Sequence, residues 1–211
     1  MDSANQNRLS LGEKIYVALL DSSNNLQYQT IANSSEKEKS ALSALRDFRQ
    51  DNVAAHIEEG LFLGSARAAA NKERLKSLNV THVLTVATRL SPAHPNDFTY
   101  KIVEVSDSED TNLAKYFHEC FDFIDEAKKT GGAVLVHCHA GISRSVTIVL
   151  AYLMNRHGIP LSDAVKHVKA KRPKARPNPG FLKQLMEFEK SLQDCEITTT
   201  IASQKLIMYL N

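Results

Sequence analysis

The sequence predicts an α/β domain with a twisted central sheet of about five strands, mostly parallel, and helices on both faces. Three observations lead to it. From His56 onward, short β-branched runs alternate with longer segments of helical spacing. The run at 133–136, Ala-Val-Leu-Val, is wholly apolar, as a central strand buried on both faces requires. The segment at 146–154 is apolar except for Thr147, as a helix buried all round requires.

The elements follow in order. His56-Ile-Glu-Glu-Gly-Leu-Phe-Leu reads as a strand with a turn at Gly60. Residues 65–78 are rich in Ala, Lys and Arg, good helix formers, and predict one helix. The runs at 80–87 and 100–105 are β-branched and predict strands. Residues 112–129 carry Leu113, Tyr116, Phe117, Cys120, Ile124 and Ala127 at helical spacing. Lys128 and Lys129 suit the negative end of that helix, and Gly131 with Gly132 stops it. Beyond the buried helix, Gly158 and Pro160 break the chain before another helix at 161–170. Asn178 and Pro179 supply a cap and a first-turn proline for a last helix at 181–192.

A chain of 211 residues holds one well-cored domain with tails, which places the domain at 51–194. Residues 1–50 form an extension: 22–40 are rich in Ser, Asn, Gln and Lys and are expected to fray, while 41–48 suit a short helix. Residues 195–211 form a tail of mixed signals. A net charge of +2 gives no reason to expect nucleic acid as a partner. No run of about 18 apolar residues predicts a membrane span, and the polar opening does not resemble a signal peptide. Three widely spaced cysteines then suit free thiols in a reducing compartment, cytoplasm or nucleus.

The chemistry concentrates in Val136-His-Cys-His-Ala-Gly-Ile-Ser-Arg-Ser145. A buried strand ends at His137, a seven-residue loop runs from Cys138 to Arg144, and an apolar helix follows. Such a loop sets the backbone N–H groups of His139, Ala140, Gly141, Ile142, Ser143 and Arg144 around one tetrahedral anion, with the helix N-terminus aimed at the same spot. Gly141 permits the tight path. The helix end, the amides and Arg144 all favour a Cys138 thiolate and should depress its pKa below the free value of about 8.5. Arg144 offers a planar fork for two phosphate oxygens, which a lysine lacks. Ser145 is placed to donate to the cysteine sulfur. A proton donor for the leaving oxygen is also needed, and either Asp107 or Asp110, upstream between a strand and a helix, can reach over the pocket.

His-Cys-x-x-Gly-x-x-Arg-Ser resembles the signature of the cysteine-based protein tyrosine phosphatases. The fuller His137 to Ser145 stretch, with Ala151-Tyr-Leu-Met154, looks like the dual-specificity branch. The similarity spans about 53–191 and includes Leu61-Phe-Leu-Gly-Ser65 and Asn178-Pro-Gly-Phe181. Glu109-Asp-Thr-Asn-Leu113 and Phe123-Ile-Asp-Glu-Ala127 look closest to small plant members. The resemblance implies hydrolysis of phosphotyrosine and phosphoserine/threonine through a cysteinyl-phosphate, with no metal and no cofactor. In the family pattern the acid stands a few residues before Asn-Leu, which carries the role to Asp107 and leaves Asp110 second. It implies a phosphoprotein substrate, with a MAP kinase as the family-level expectation. Small plant relatives are associated with calmodulin, though no particular residue carries that over.

His137, Cys138 and His139 suggest a metal site, but neighbouring side chains diverge and no second pair stands at zinc spacing. Phosphoinositide phosphatases place lysines inside the loop, and this loop has none. Cys120 lies on an apolar stripe and reads as a packed core thiol. Residues 166–176 hold six Lys or Arg and no acid, which reads as a solvated face or as a docking surface for an acidic partner. The alternative function is a catalytically weak phosphoprotein-binding or calmodulin-regulated scaffold of the same fold. It requires a lost loop residue, and Cys138, Arg144 and Asp107 are all present.

Overall fold

Strand β1 (Ala55–Glu58) turns at Gly60 into β2 (Leu61–Ser65), and the two pair antiparallel. The computed structural model describes residues 52–210, over 195–210 the backbone alone. The extension at 1–50, its short helix at 41–48 and the Cys195 side chain lie outside what is described. The single strand with a turn is thus a hairpin, because Gly60 takes φ +73°, a backbone that reverses the chain without a Cβ penalty.

Two short helices follow, α1 (Ala66–Ala70) and α2 (Lys72–Ser77), where one continuous helix was expected. Asn71 makes the break. Its side chain accepts from the Arg74 backbone N–H at 3.1 Å and so starts a second helix in place of continuing the first. Strands β3 (Val80–Val86) and β4 (Thr99–Val103) come next. A 3₁₀ turn at Ala114–Tyr116 leads into α3 (Phe117–Lys129), so this helix starts later than its apolar spacing suggests. The order ends with β5 (Ala133–Cys138), α4 (Arg144–His157), α5 (Leu161–Lys171) and α6 (Pro179–Leu210). Helix α6 runs through the tail at 195–210, whose sequence signals are mixed.

The sheet order is β1-β2-β5-β3-β4, with every pairing parallel except β1 with β2. Alternation along the strands sorts the core into two layers. Leu61, Leu63, Leu84, Val86, Val134 and Val136 face α3, α4, α5 and the start of α6. Phe62, Val83 and Leu135 face α1 and α2. Helix α4 is buried without interruption from Arg144 to Met154, because it lies between the sheet and the other helices of its layer. Among the described residues no helix is long and apolar enough to cross a membrane.

Candidate active site

Strand β5 delivers the site. It ends at Cys138, 1% exposed, beside Ser65 of β2, and the Ala66 N–H donates to the His139 carbonyl at 3.1 Å. The chain then turns through five residues and enters α4 at Arg144. Two donors meet the Cys138 sulfur, the Gly141 backbone N–H and the Ser145 hydroxyl, each at 3.2 Å. Gly141 has φ +63°, and a Cβ there would stand 2.3 Å from the Gly64 carbonyl oxygen. Glycine is therefore required twice over, by backbone angle and by space.

Arg144 is buried, and its Nη1 donates to the Val105 carbonyl at 3.1 Å. Its Nε lies 3.5 Å from Asp107 Oδ2, close enough for attraction between charges, yet it makes no hydrogen bond. The two facts agree because 3.5 Å suffices for attraction between charges and is long for a hydrogen bond. A buried guanidinium N–H without a hydrogen-bond partner is costly and is satisfied when an anion arrives. Asp107 Oδ1 accepts from Ser143 Oγ at 2.7 Å and from Asn178 Nδ2 at 2.8 Å. The structure thus links Asp107 to Ser143 and Arg144 of the loop that also carries Cys138 and Ser145. Asp110 is exposed, as Asp107 is, and the Ser143 and Asn178 hydrogen bonds are what set Asp107 apart. Chemically this is a cysteine sulfur that receives two donors, on a loop whose arginine is paired with a carboxyl group, at a helix N-terminus.

The comparisons with known proteins agree with that geometry. The family model for the dual specificity phosphatase catalytic domain matches residues 61–191. The chain belongs to the dual specificity phosphatase family. It is 61% identical over 165 residues to dual specificity protein phosphatase 1 of Arabidopsis thaliana, covering 75% of this chain and 83% of that one. It is 43% identical over 145 residues to a Dictyostelium discoideum MAP kinase phosphatase with leucine-rich repeats, covering 69% and 17%. The crystal structure of human DUSP28 superposes with a TM-score of 0.64 at 36% identity, covering 66% and 95%. The protein is accordingly an enzyme, a dual specificity phosphatase acting on phosphoproteins.

The phosphatase loop is held from behind by residues that sequence reasoning did not single out. Arg172 is 5% exposed, donating from Nε to the Gly141 carbonyl at 2.6 Å and from Nη2 to the Ala140 carbonyl at 2.9 Å. Burial pushes its pKa down, and the Cys138 charge opposes that. The basic run at 166–176 reads from the sequence as a surface, and the structure corrects this for one member: Lys166, Lys169, Lys171 and Arg176 are exposed, while Arg172 turns inward. The Arg176 N–H also donates to the Ile142 carbonyl at 2.7 Å. Gln184 of α6 carries no sequence signal beyond its place in a helical run. Its Oε1 accepts from the Leu113 and Ala114 N–H groups at 2.8 and 2.9 Å, and its Nε2 donates to the Thr111 carbonyl at 2.8 Å, pinning the segment after Asp107.

The histidines diverge, as adjacent residues should. His137 Nε2 meets Thr85 Oγ1 at 2.8 Å inside the sheet, and His139 Nε2 meets the Thr88 carbonyl at 3.1 Å. Burial pushes His137 down to about 4, so it is a neutral ring that braces the end of β5. Cys120 sits at 0% exposure in the main core, where burial pushes its thiol up to about 12 and keeps it protonated.

Proposed function

We propose that Cys138 is the nucleophile, Arg144 and the loop N–H groups bind the phosphate, Asp107 is the acid and base, and Ser145 assists the sulfur. The observation that carries the reading is the Cys138 sulfur, which receives the Gly141 and Ser145 donors at 3.2 Å on the loop that Arg144 closes. The thiolate attacks phosphorus, and the bond from phosphorus to the ester oxygen breaks. Asp107 gives its proton to that oxygen, releasing the protein hydroxyl. In the second half Asp107, now a carboxylate, takes a proton from water as the water attacks the cysteinyl-phosphate. The sulfur leaves as a thiolate stabilised by the Ser145 hydroxyl. Donors fixed where charge develops contribute about 10² to 10³ each in rate.

The substrate proposed is a MAP kinase activation segment phosphorylated on both tyrosine and threonine. Support comes from the loop interior, His139, Ala140, Gly141, Ile142 and Ser143, which carries no lysine for additional phosphates. It comes also from the His139 contact with the Thr88 carbonyl, which brings the segment after β3 against the loop. The Dictyostelium relative bears the name of a MAP kinase phosphatase. The exposed members of the basic run, Lys166, Lys169, Lys171 and Arg176, would assist encounter with an acidic kinase surface. A calmodulin-regulated scaffold is the lesser reading, because the helix carrying the run ends at Lys171 and Arg172 is spent on the loop. The compartment proposed is cytoplasm or nucleus, where Cys138 stays a free thiol.

Mass spectrometry of a doubly phosphorylated activation-segment peptide, followed over time, tests this. Both phosphates should disappear, phosphotyrosine first, and Cys138→Ser should remove neither while still binding the peptide. Loss from tyrosine alone at high enzyme, or turnover by Cys138→Ser, overturns the assignment.

A further inference from the structure

Asn178 stands between Pro177 and Pro179, where α6 begins. Its backbone carbonyl accepts from Leu182 N–H at 3.0 Å, and its side-chain Oδ1 accepts from Phe181 N–H at 2.9 Å. The side-chain oxygen is therefore committed to capping the helix, which orients the amide and turns Nδ2 outward. Outward lies Asp107: Nδ2 donates to its Oδ1 at 2.8 Å. The Asn178 N–H in turn donates to Ser143 Oγ at 3.1 Å, so the Ser143 hydroxyl proton is directed to Asp107 Oδ1, 2.7 Å away. Two donors thus converge on one oxygen of the carboxyl group. Oδ1 is saturated as an acceptor, and a proton on it would have to displace one of them. The other oxygen, Oδ2, is the one beside Arg144 Nε.

We infer that Asn178 is a positioning residue for catalysis. With Ser143 it fixes the rotation of the Asp107 carboxyl group and assigns the transferable proton to Oδ2, on the Arg144 side. The inference rests on Asp107 being the general acid. Step one then moves the Oδ2 proton to the leaving oxygen, and step two returns a proton from water to Oδ2, while Oδ1 keeps both donors throughout. The mount is rigid. A Cβ at Gly180 would stand 2.0 Å from the Glu109 carbonyl oxygen, so the acid loop rests directly on the first turn of α6. Gln184, one turn further along, clamps the same loop at 111–114.

The test compares Asn178→Ser with Asp107→Asn in the full chain, on phenyl phosphate and on a dinitrophenyl phosphate whose phenol leaves without a proton. Serine keeps the cap and loses the reach to Asp107. Losing one hydrogen bond to a charged group should lower kcat on phenyl phosphate about tenfold, with a loss several times smaller on the dinitrophenyl ester. The basic limb of the kcat/KM profile against pH should move to higher pH, since the anion has lost a donor. Equal losses on both esters with an unmoved limb would show a helix cap and nothing more, and overturn the inference. If Asp107→Asn itself shows no dependence on the leaving group, the acid assignment fails, and the inference falls with it. Thermal denaturation checks that the serine variant folds. Should it fail to fold, Asn178→Asp keeps the cap acceptor, replaces the donor by a second carboxyl group and must move the limb the same way.

Discussion

Ser145 Oγ donates to Cys138 Sγ across 3.2 Å, from the first turn of α4 to the last residue of β5, with both side chains buried. In the proposed mechanism the sulfur is a leaving group in the second half-reaction, and this hydroxyl is fixed where its negative charge returns. Ser145→Ala should slow hydrolysis of the cysteinyl-phosphate about 10²-fold and spare its formation, by the magnitude typical of one lost donor. Stopped-flow with p-nitrophenyl phosphate should then show a burst equal to the enzyme concentration, and KM should fall with kcat. A variant with unchanged kcat and no burst removes Ser145 from the mechanism.

Asp107 and Asp110 stand on one loop, but only Asp107 is held against the phosphate loop, through Ser143 and Asn178. Asp107→Asn should lower kcat on phosphothreonine peptide about 10²-fold or more, the usual contribution of a positioned acid. Asp110→Asn should leave the dependence on leaving group as it is in the unsubstituted chain. Steady-state kinetics over a series of aryl phosphates separates the two, and a reversed pattern exchanges their roles.

The residues that a reader of the sequence can place are those that act within a few positions of one another. Cys138, Gly141, Arg144 and Ser145 share one strand-loop-helix passage, so their spacing alone brings them together. The strands were legible because apolar runs such as 133–136 have no other place to go than the middle of a sheet. In the sequence Asn71 reads as an ordinary member of a helical run, yet its short polar side chain competes for the backbone and splits that run in two. Arg172 and Gln184 reach across 31 and 71 positions to bond carbonyls and N–H groups. Such bonds go to backbone groups that every residue carries, so they leave no mark on the sequence pattern. A basic run likewise does not show which one of its members turns inward.

Arg172 offers a test of how far the loop depends on support from behind. Its two nitrogens meet the Gly141 and Ala140 carbonyls in the fork geometry that only a guanidinium provides. Arg172→Lys keeps the charge and loses the fork, so one of the two carbonyls loses its charged partner. A cost of about 1 to 3 kcal/mol in stability is expected. KM for phosphopeptide should rise, because the same two peptide groups orient the loop amides. Urea unfolding and steady-state kinetics check both. A variant with wild-type stability and KM would show that the loop holds its shape unaided.

His137 sets a pH dependence of stability whose sign follows from its surroundings. The ring is 2% exposed at the end of β5, with Nε2 on Thr85 Oγ1 at 2.8 Å. Burial pushes its pKa down to about 4, the neighbouring His139 pushes the same way, and the contact with the Cys138 carbonyl opposes them. In the unfolded chain the ring titrates near its ordinary value of about 6.5. Between these two values the unfolded chain binds the extra proton, so stability falls as pH falls. The contribution is complete above about 6.5 and is lost progressively down to about 4, amounting to about 3 kcal/mol, of which about 2 kcal/mol is gone by about pH 5. Glu58, whose pKa the Lys128 and His157 side chains pull down against its partial burial, also weakens the fold in acid, so the wild-type curve alone does not isolate the histidine. His137→Gln keeps an amide near Thr85 and cannot titrate. Urea unfolding of both proteins from pH 7.5 to 5 should show the wild type losing about 2 kcal/mol more than the variant. Parallel curves would mean that the proton finds room in the folded sheet, and that His137 is not held neutral by its burial.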